Sequence, residues 1–338
     1  MNPCLVGHDL GFAYGERFVL RQARAVVAPG RVTALLGPSG SGKTTLLWLM
    51  AGLQTPRTGR VVVCDAPAAW QTGRPVGPGD RIGMVFQTPA LWDHLTAEEH
   101  LEIVLSGKGL DRAARQRRID ALLERMHLGA LRKRLPGRMS GGERQRLSIA
   151  RALVTEPGWL LMDEPLAHLD GPARSDLLDV LRDVLADTRP GVLLATHDTD
   201  EALRLANDVV VLLDGAVAQA GTADEVMLRP ADLAVARLLG PAAEIAGSAG
   251  GGVLRCDGTA VLEGLPAAAT GPRRLILRPA DLAFRPDASG PARVLRCERT
   301  PSGYQLVVEV AGARAWVQHG GPCAAGTVGR LVLVGSMP

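Results

Sequence analysis

The sequence lacks any long apolar run. No stretch of about 18 consecutive apolar residues occurs, so we expect no transmembrane helix. The N-terminus has no basic segment followed by an apolar one, which argues against a secretory signal peptide. The formal net charge of the 338 residues is only +3, so composition does not indicate a strongly basic surface for nucleic acid.

Cysteine is also scarce and unpatterned. The five cysteines are an odd number, lie far apart and form no CxxC pair. This spacing argues against a disulfide framework or a zinc site and suits a reducing cytosol. We therefore expect the thiols to be structural or exposed, without a shared chemical role.

Short apolar runs alternate with helical patterns in the first part of the chain. Residues 32–36, 159–162 and 192–196 are apolar except for Thr33 and Thr196. The last two runs are typical of strands buried on both faces of a parallel sheet. Residues 88–156 are mainly helical in pattern and rich in Arg. We predict an α/β fold with a helical subdomain inserted at about 88–156.

The composition changes near residue 240. Residues 241–252 are small and nearly uncharged, which predicts a flexible linker. Short alternating runs punctuated by Gly and Pro follow, and they predict a small all-β barrel over residues 253–338. The chain is therefore expected to consist of a first domain at 1–240, a linker and a barrel.

Residues 37–44 (GPSGSGKT) fit the GxxxxGK[ST] pattern between a predicted strand and a predicted helix. The glycines allow successive N–H groups to point at phosphate oxygens, and the helix N-terminus adds partial positive charge. Lys43 is expected to reach the β- and γ-phosphates, and the Thr44 hydroxyl to bind Mg²⁺. The predicted phosphate-binding residues are Gly37, Pro38, Ser39, Gly40, Ser41, Gly42, Lys43, Thr44 and Thr45.

Two carboxylates follow the apolar strand predicted at 159–162. In P-loop enzymes an acid at the first of these positions holds the Mg²⁺ shell, and Asp163 is placed for that role. Glu164 would then face the γ-phosphate and could polarise the attacking water as a general base. Together with the phosphate loop, Asp163 and Glu164 predict a nucleoside triphosphatase.

Residues 139–145 (MSGGERQ) resemble the signature motif of the ABC transporter ATPases. Ser140 and the N–H groups of Gly141 and Gly142 open a predicted helix, an arrangement that suits an anion. The resemblance implies that this second site grips the γ-phosphate held by the opposite copy. It therefore implies a head-to-tail homodimer with two composite ATP sites.

Four further motifs appear in the order that this family has them. Tyr14 resembles the aromatic residue that stacks on adenine. Gln87 resembles the Q-loop glutamine, which contacts Mg²⁺ or water and senses the membrane partner. Residues 167–170 (AHLD) resemble the D-loop, and His197 resembles the switch histidine that hydrogen-bonds the γ-phosphate. The resemblance thus implies catalytic roles for Glu164, His197 and Gln87, metal binding by Thr44, Gln87 and Asp163, and nucleotide binding by Asp170.

Three positions depart from the family pattern. The D-loop usually begins with Ser, where this chain has Ala167, so a hydrogen bond across the dimer would be missing. Asp93 stands where Pro is frequent, and His100 where Asn is frequent. The latter two positions lie near the groove that receives the membrane subunit in this family, and we expect them to affect partner choice more than chemistry.

Residues 277–282 (LRPADL) resemble a stretch of TOBE domains, the OB-like barrels attached to importer ATPases. An OB-like barrel can also bind oligonucleotides through aromatic stacking. The only aromatic residues after the predicted linker are Phe284, Tyr304 and Trp316. They do not alternate with basic residues. A dimerising or regulatory barrel is therefore favoured over direct nucleic-acid binding.

The resemblance covers about residues 5–240 and implies a P-loop NTPase (RecA-like) core with antiparallel β and helical subdomains. It implies an ATPase that uses ATP and Mg²⁺ to energise solute import from the cytoplasmic face of the inner membrane. The implied partners are two transmembrane permease subunits and a periplasmic or extracellular solute-binding protein. Two alternatives remain open at this point: a soluble ABC ATPase acting on nucleic acid or ribosomes, and an export motor.

Overall fold

The computed structural model describes residues 4–64, 74–76 and 81–334. The chain divides into two compact units, Met1–Ala223 and Asp224–Pro338. The composition change near residue 240 thus lies inside the second unit rather than at the division. None of the helices among the described residues is long and apolar enough to cross a membrane.

A six-stranded sheet forms the centre of the first unit. In spatial order its strands are β10 (Ala216–Thr222), β9 (Asp208–Leu213), β3 (Val32–Leu36), β8 (Gly191–Thr196), β7 (Trp159–Asp163) and β6 (Ile82–Val85). Strands β9, β3, β8, β7 and β6 run parallel, and β10 returns antiparallel to β9. Every residue of β7 and β8 is buried, as the apolar sequence of each strand up to its last residue predicts.

An antiparallel sheet covers one face of this central sheet. Its strands, in spatial order, are β2 (Arg17–Val27), β1 (Cys4–Tyr14), β4 (Thr58–Cys64) and β5 (Arg74–Pro75). Leu10 of β1, Leu35 of β3 and Trp159 of β7 share one apolar core with Leu46 and Met50, which follow β3 in the chain. This core holds the segment after β3 in place.

Helices cover the other face of the central sheet. These helices are α2 (Ala97–Leu105), α3 (Arg112–Arg125), α4 (Gly141–Leu153), α5 (Gly171–Thr188) and α6 (Thr199–Leu205). Helix α1 (Lys43–Met50) instead packs on the side of the antiparallel sheet. Leu101 of α2, Ile119 of α3, Leu147 of α4 and Leu181 of α5 pack into one core with Leu160 of β7. The segment 97–153 is helical apart from its connections, in line with its sequence pattern.

The parallel register brings three strand ends to one edge of the central sheet. Leu36 at the end of β3 lies opposite Thr196 at the end of β8. Asp163 at the end of β7 lies opposite Ala195. The segments that follow these strands, including the predicted phosphate loop, Glu164 and His197, therefore start side by side.

The second unit begins with two short helices and continues as a nine-stranded sheet. Strand β18 lies against β11 and β15 as well as its partner β17, so the sheet curves back on itself into a nearly closed barrel. This matches the all-β barrel predicted for the tail. The elements are α7 (Ala223–Leu228), α8 (Leu233–Leu239), β11 (Ala243–Gly250), β12 (Val253–Cys256), β13 (Thr259–Glu263), β14 (Gly271–Leu277), β15 (Leu282–Pro286), β16 (Ala292–Thr300), β17 (Gly303–Val310), β18 (Ala313–His319) and β19 (Val328–Leu333).

The flexible linker predicted at 241–252 is wrong, because most of that segment is strand β11, paired with β14 and β12. Ile245 and Ala249 are buried in the barrel core. A Cβ at Gly247 would lie 2.5 Å from the carbonyl oxygen of Arg255. The small residues therefore permit close packing of strands, and composition alone does not distinguish this use of Gly and Ala from flexibility.

Candidate functional site

The predicted phosphate loop joins β3 to α1 and needs glycine at defined positions. Gly40 and Gly42 have φ of +81° and +103°, where residues with a Cβ are strained. A Cβ at Gly42 would also lie 2.8 Å from Cδ2 of Leu20. A Cβ at Gly37 would lie only 2.3 Å from the carbonyl oxygen of Leu212. The surrounding core therefore fixes the path of this loop.

Lys43, the first residue of α1, places its ammonium group inside the loop. Its Nζ donates hydrogen bonds to the carbonyl oxygens of Gly37 at 2.8 Å and Pro38 at 3.1 Å. It lies 3.6 Å from Oε1 of Glu164. Burial lowers the pKa of Lys43, while the negative charges of Glu164 and Asp163 act in the opposite direction. A cation held this way is suited to an anionic ligand at the loop.

Thr44 and Asp163 bring two oxygens together beside this lysine. The Thr44 hydroxyl donates to Oδ1 of Asp163 at 3.0 Å. Burial raises the pKa of Asp163, which the Thr44 hydrogen bond opposes, while the nearby charge of Glu164 raises it further. A hydroxyl and a carboxylate are hard oxygen ligands, and a cation would stabilise the buried charge of Asp163. The pair thus fits the limited protein contribution to a Mg²⁺ site that phosphates complete.

Glu164 follows β7 in an unusual backbone conformation. Its φ is +43°, in the left-handed region that costs energy for residues with a Cβ. Its N–H donates to the carbonyl oxygen of Ala195 at 2.9 Å, and its Oε2 lies 3.2 Å from Nδ1 of His197. The carboxylate is mostly buried whereas the His197 ring is half exposed. A strained, partly buried carboxylate next to a histidine and a lysine is suited to proton transfer.

The remaining residues of the predicted nucleotide site differ in exposure. Ser41 and Thr45 are buried, and the Ser41 hydroxyl has no hydrogen-bond partner among the described residues. Tyr14 is half exposed at the end of β1, and its hydroxyl accepts a hydrogen bond from Gln54 at 3.2 Å. Gln87 is exposed after β6. Within the described part of the chain, no hydrogen bond connects Tyr14 or Gln87 to the cluster around Lys43.

The predicted signature motif caps helix α4. Ser140 is its N-cap: the Ser140 hydroxyl accepts from the N–H of Glu143 at 3.2 Å, and Oε2 of Glu143 accepts from the N–H of Ser140 at 2.7 Å. Gly141 and Gly142 form the first turn, whose N–H groups have no partner inside the helix. A Cβ on Gly142 would only touch Ala173 at 3.6 Å. The motif thus lies beside the start of α5 with its donors oriented outward along the helix axis.

The predicted D-loop connects Glu164 to α5. Asp170 caps α5, with its Oδ1 accepting from the N–H of Ala173 at 2.9 Å. The N–H of Ala167 donates to the carbonyl oxygen of Glu164 at 3.2 Å. Ala167 has no hydroxyl with which to donate a further hydrogen bond. Asp170 therefore has a structural role within this chain, beside the nucleotide contact predicted for it.

Sequence reasoning missed a group of charged residues behind this site. Arg174 of α5 contacts Asp198 and Glu201, which flank the beginning of α6. Charge patterning along either helix does not reveal this contact, because the residues lie on different elements. The capping box of α4, in contrast, joins two residues only three positions apart, Ser140 and Glu143.

His100, one of the departures from the family pattern, fixes the loop after β6. Its Nε2 accepts from the N–H of Trp92 at 2.9 Å, and its Nδ1 donates to the carbonyl oxygen of Thr96 at 2.8 Å. This arrangement requires the neutral ring. Burial lowers the pKa of His100; Arg151 lowers it further, and the Thr96 carbonyl raises it. Arg151 also lies over the Trp92 ring, 5.3 Å from its centroid.

This geometry predicts a pH-dependent contribution of His100 to stability. As pH falls through the ordinary histidine pKa of 6.5, the unfolded chain takes up a proton that the folded chain resists, so folding becomes less favourable. We expect the melting temperature of wild type to fall more than that of His100→Asn between about pH 7.5 and pH 5.5. Thermal unfolding followed by circular dichroism measures this, with the exposed His127→Asn as the control that should behave like wild type. A constant difference between wild type and His100→Asn over this range would contradict the prediction.

Comparisons with known proteins identify relatives of this chain. A family model described as ABC transporter matches residues 20–167. The sulfate/thiosulfate import ATP-binding protein CysA of Xanthomonas campestris pv. campestris is 38% identical, over 89% of this chain and 88% of that protein. The Fe(3+) ions import ATP-binding protein FbpC of Brucella abortus is 35% identical, over 82% of this chain and 79% of that protein.

Solved structures resemble the larger part of the fold. A structure described as the ATP binding subunit of an ABC transporter is 31% identical, with a TM-score of 0.58 over 69% of this chain and 97% of its own. The cbiO1 protein of Clostridium perfringens, described as part of the ABC transporter complex cbiONQ, is 27% identical, with a TM-score of 0.61 over 68% of this chain and 92% of its own.

The CysA and FbpC relatives are import subunits, so neither a soluble ATPase acting on nucleic acid nor an export motor is favoured for this chain. The family binds ATP, hydrolyses it and works with transmembrane permease partners. The chain belongs to the ATP-binding subunits of ABC importers, which couple ATP hydrolysis to solute transport.

Proposed function

We propose that two copies of this chain close head to tail on two ATP molecules and drive import through two permease subunits. The observation that carries the proposal is the cluster formed by Lys43, Asp163, Glu164 and His197 at the phosphate loop. It combines a cation for phosphates, oxygen ligands for a metal and a carboxylate suited to deprotonating water. These are the groups that phosphoryl transfer to water requires.

Each residue of the cluster has a distinct proposed role. The phosphate loop, residues 37–45, binds the β- and γ-phosphates through Lys43 and its available backbone N–H groups. Thr44 and Asp163, with Gln87, would hold Mg²⁺, which would neutralise developing charge on the phosphates when bound. Glu164 accepts the proton of the attacking water, and His197 donates a hydrogen bond to the γ-phosphate. Tyr14 stacks on adenine from the end of β1, and Asp170 contacts the nucleotide.

The signature motif supplies the second half of each site. Ser140 accepts a hydrogen bond within its capping box, and its hydroxyl hydrogen remains available for a γ-phosphate oxygen. The unpartnered N–H groups of Gly141 and Gly142 add two donors at the positive end of α4. Because no hydrogen bond among the described residues connects this motif to the Lys43 cluster of the same chain, a second copy is its proposed partner.

The proposed localisation of the subunit is the cytoplasmic face of the inner membrane, where it binds its permeases as a peripheral protein. A periplasmic or extracellular solute-binding protein would deliver the cargo. The relatives named above import sulfate or thiosulfate in one case and Fe(3+) ions in the other. We therefore propose a small inorganic ion as the cargo, with sulfate and thiosulfate as the first candidates.

Reconstitution with the permeases in proteoliposomes tests this assignment. We expect ATP hydrolysis to rise severalfold when the solute-binding protein carries its own solute, compared with the empty protein. The panel should include sulfate, thiosulfate and ferric iron, each with internal accumulation of labelled solute measured in parallel. Solute-independent hydrolysis with no accumulation, or stimulation by RNA instead, would contradict the assignment.

A further inference from the structure

Arg174 of α5 connects the two loops that carry Glu164 and His197. Its Nη1 donates to Oδ2 of Asp198 at 2.8 Å, and its Nη2 donates to the carbonyl oxygen of Leu169 at 3.4 Å. Its Nε lies 3.7 Å from Oε1 of Glu201. One guanidinium group therefore contacts the end of the loop after Glu164 and both acids behind His197, a use for which its planar set of donors is suited.

The turn that carries His197 is fixed from below by a buried carboxylate. The Thr196 hydroxyl donates to Oε2 of Glu201 at 2.6 Å and accepts from the N–H of Asp198 at 3.0 Å. Glu201 is 3% exposed, and a buried carboxylate needs both hydrogen bonds and a nearby cation to stay favourable. Arg174 is the cation at this position. The backbone on both sides of His197 is thus anchored to the same group of side chains.

The loop after Glu164 has fewer side-chain hydrogen bonds. It begins at the strained Glu164, whose carbonyl oxygen accepts from the N–H of Ala167 at 3.2 Å. Ala167 offers no side-chain hydrogen bond. At the other end of the loop, Arg174 donates to Leu169. Because Arg174 also contacts Asp198, it links the position of this loop directly to that of His197.

We propose that Arg174 is a positioning residue for ATP hydrolysis. It fixes residues 165–170 to the turn 196–198 and thereby keeps Nδ1 of His197 at hydrogen-bond distance from Oε2 of Glu164. It contacts neither the nucleotide nor the water, and it acts through these two side chains. The inference rests on the proposed function, in which Glu164 and His197 act on ATP.

The test compares Arg174→Met, Arg174→Lys and Asp198→Asn by steady-state ATP hydrolysis. Arg174→Met should lower kcat about tenfold to a hundredfold, because displacements near 1 Å have costs of that order, and should leave KM for ATP within about twofold. Arg174→Lys should recover part of kcat. Asp198→Asn should lower kcat like Arg174→Met, since Asn caps α6 as well as Asp but loses the ion pair. The double variant Arg174→Met/Asp198→Asn should have a kcat no lower than that of the slower of its two single variants, because the two residues act as a unit.

Two controls separate this role from general destabilisation. Arg182→Met removes an exposed arginine from the same helix and should leave kcat unchanged. Melting temperatures show which variants are folded at the assay temperature. If Arg174→Met is unfolded at that temperature, the kcat values of Arg174→Lys and Asp198→Asn are compared with wild type instead. A kcat within twofold of wild type in Arg174→Met, additive losses in the double variant, or an equal loss in Arg182→Met would each overturn the proposal.

Glu164→Gln distinguishes a failure of this inference from a failure of the proposed function. If Glu164→Gln hydrolyses ATP normally, the proposed function fails. If Glu164→Gln is inactive and Arg174→Met is normal, only this inference fails.

Discussion

Replacing Glu164 by Gln is expected to reduce kcat for ATP hydrolysis about a thousandfold, the loss typical of a missing general base. Gln has the same shape and can keep a hydrogen bond to His197, but it does not accept a proton from water. The substitution also removes a negative charge 3.6 Å from Nζ of Lys43, so ATP affinity should stay the same or rise. ATP-bound dimers should therefore accumulate, which size-exclusion chromatography in the presence of ATP would measure.

Glu156→Gln is a matched control for this variant. Glu156 is also a glutamate in the left-handed region, with φ of +50°. It lies after the C-terminal end of α4, is exposed and forms an ion pair with Arg118 of α3. It should hydrolyse ATP like wild type, which separates the loss of the base from backbone effects at such positions. If Glu164→Gln turned over at the native rate, the assignment of the general base would be wrong.

Those parts of the site that depend on short sequence spacing or on strand order could be predicted. Residues 37–44 are adjacent in the chain, and the glycines that the motif requires are the ones with positive φ or close neighbours. The proximity of Glu164 to His197 follows from the parallel pairing of β7 with β8, both visible as buried apolar runs. Hence the α/β fold class and the cluster around Lys43 are recoverable from the sequence.

Features that depend on long-range packing could not be predicted. The contact of Arg174 with Asp198 and Glu201 joins α5 to α6, and nothing in the local pattern selects this arginine from the others in the chain. The linker prediction failed because small residues in β11 serve strand contact, as at Gly247. The roles of all the site residues, Ser140, Tyr14 and Gln87 included, remain predictions, because they concern groups from a nucleotide or a second copy.

The second large effect is expected when either half of the composite site is disabled. Lys43→Met removes the ammonium group that occupies the phosphate loop, and ATP hydrolysis should fall below about one per cent of wild type because phosphate charge is no longer balanced. Lys108→Met, at an exposed lysine, should have no effect.

Gly142→Asp should abolish hydrolysis to a similar extent through the other half of the site. Its Cβ would only touch Ala173 at 3.6 Å, and an acid in the first turn favours the helix, so the fold should persist. The carboxylate would repel the γ-phosphate of the partner's ATP. Gly137→Asp, where a Cβ meets nothing within 4 Å, is the matched control and should remain active.

Mixing these two inactive variants tests the composite site most directly. In a head-to-tail dimer of one Lys43→Met copy and one Gly142→Asp copy, one site combines an intact phosphate loop with an intact signature motif, and the other combines both defects. Co-expression with two affinity tags yields such hybrids in isolation, and each should recover up to about half of wild-type hydrolysis, one site of two. Hybrids as inactive as either parent dimer would contradict the head-to-tail site, because that is the result expected if each chain completed its own ATP site.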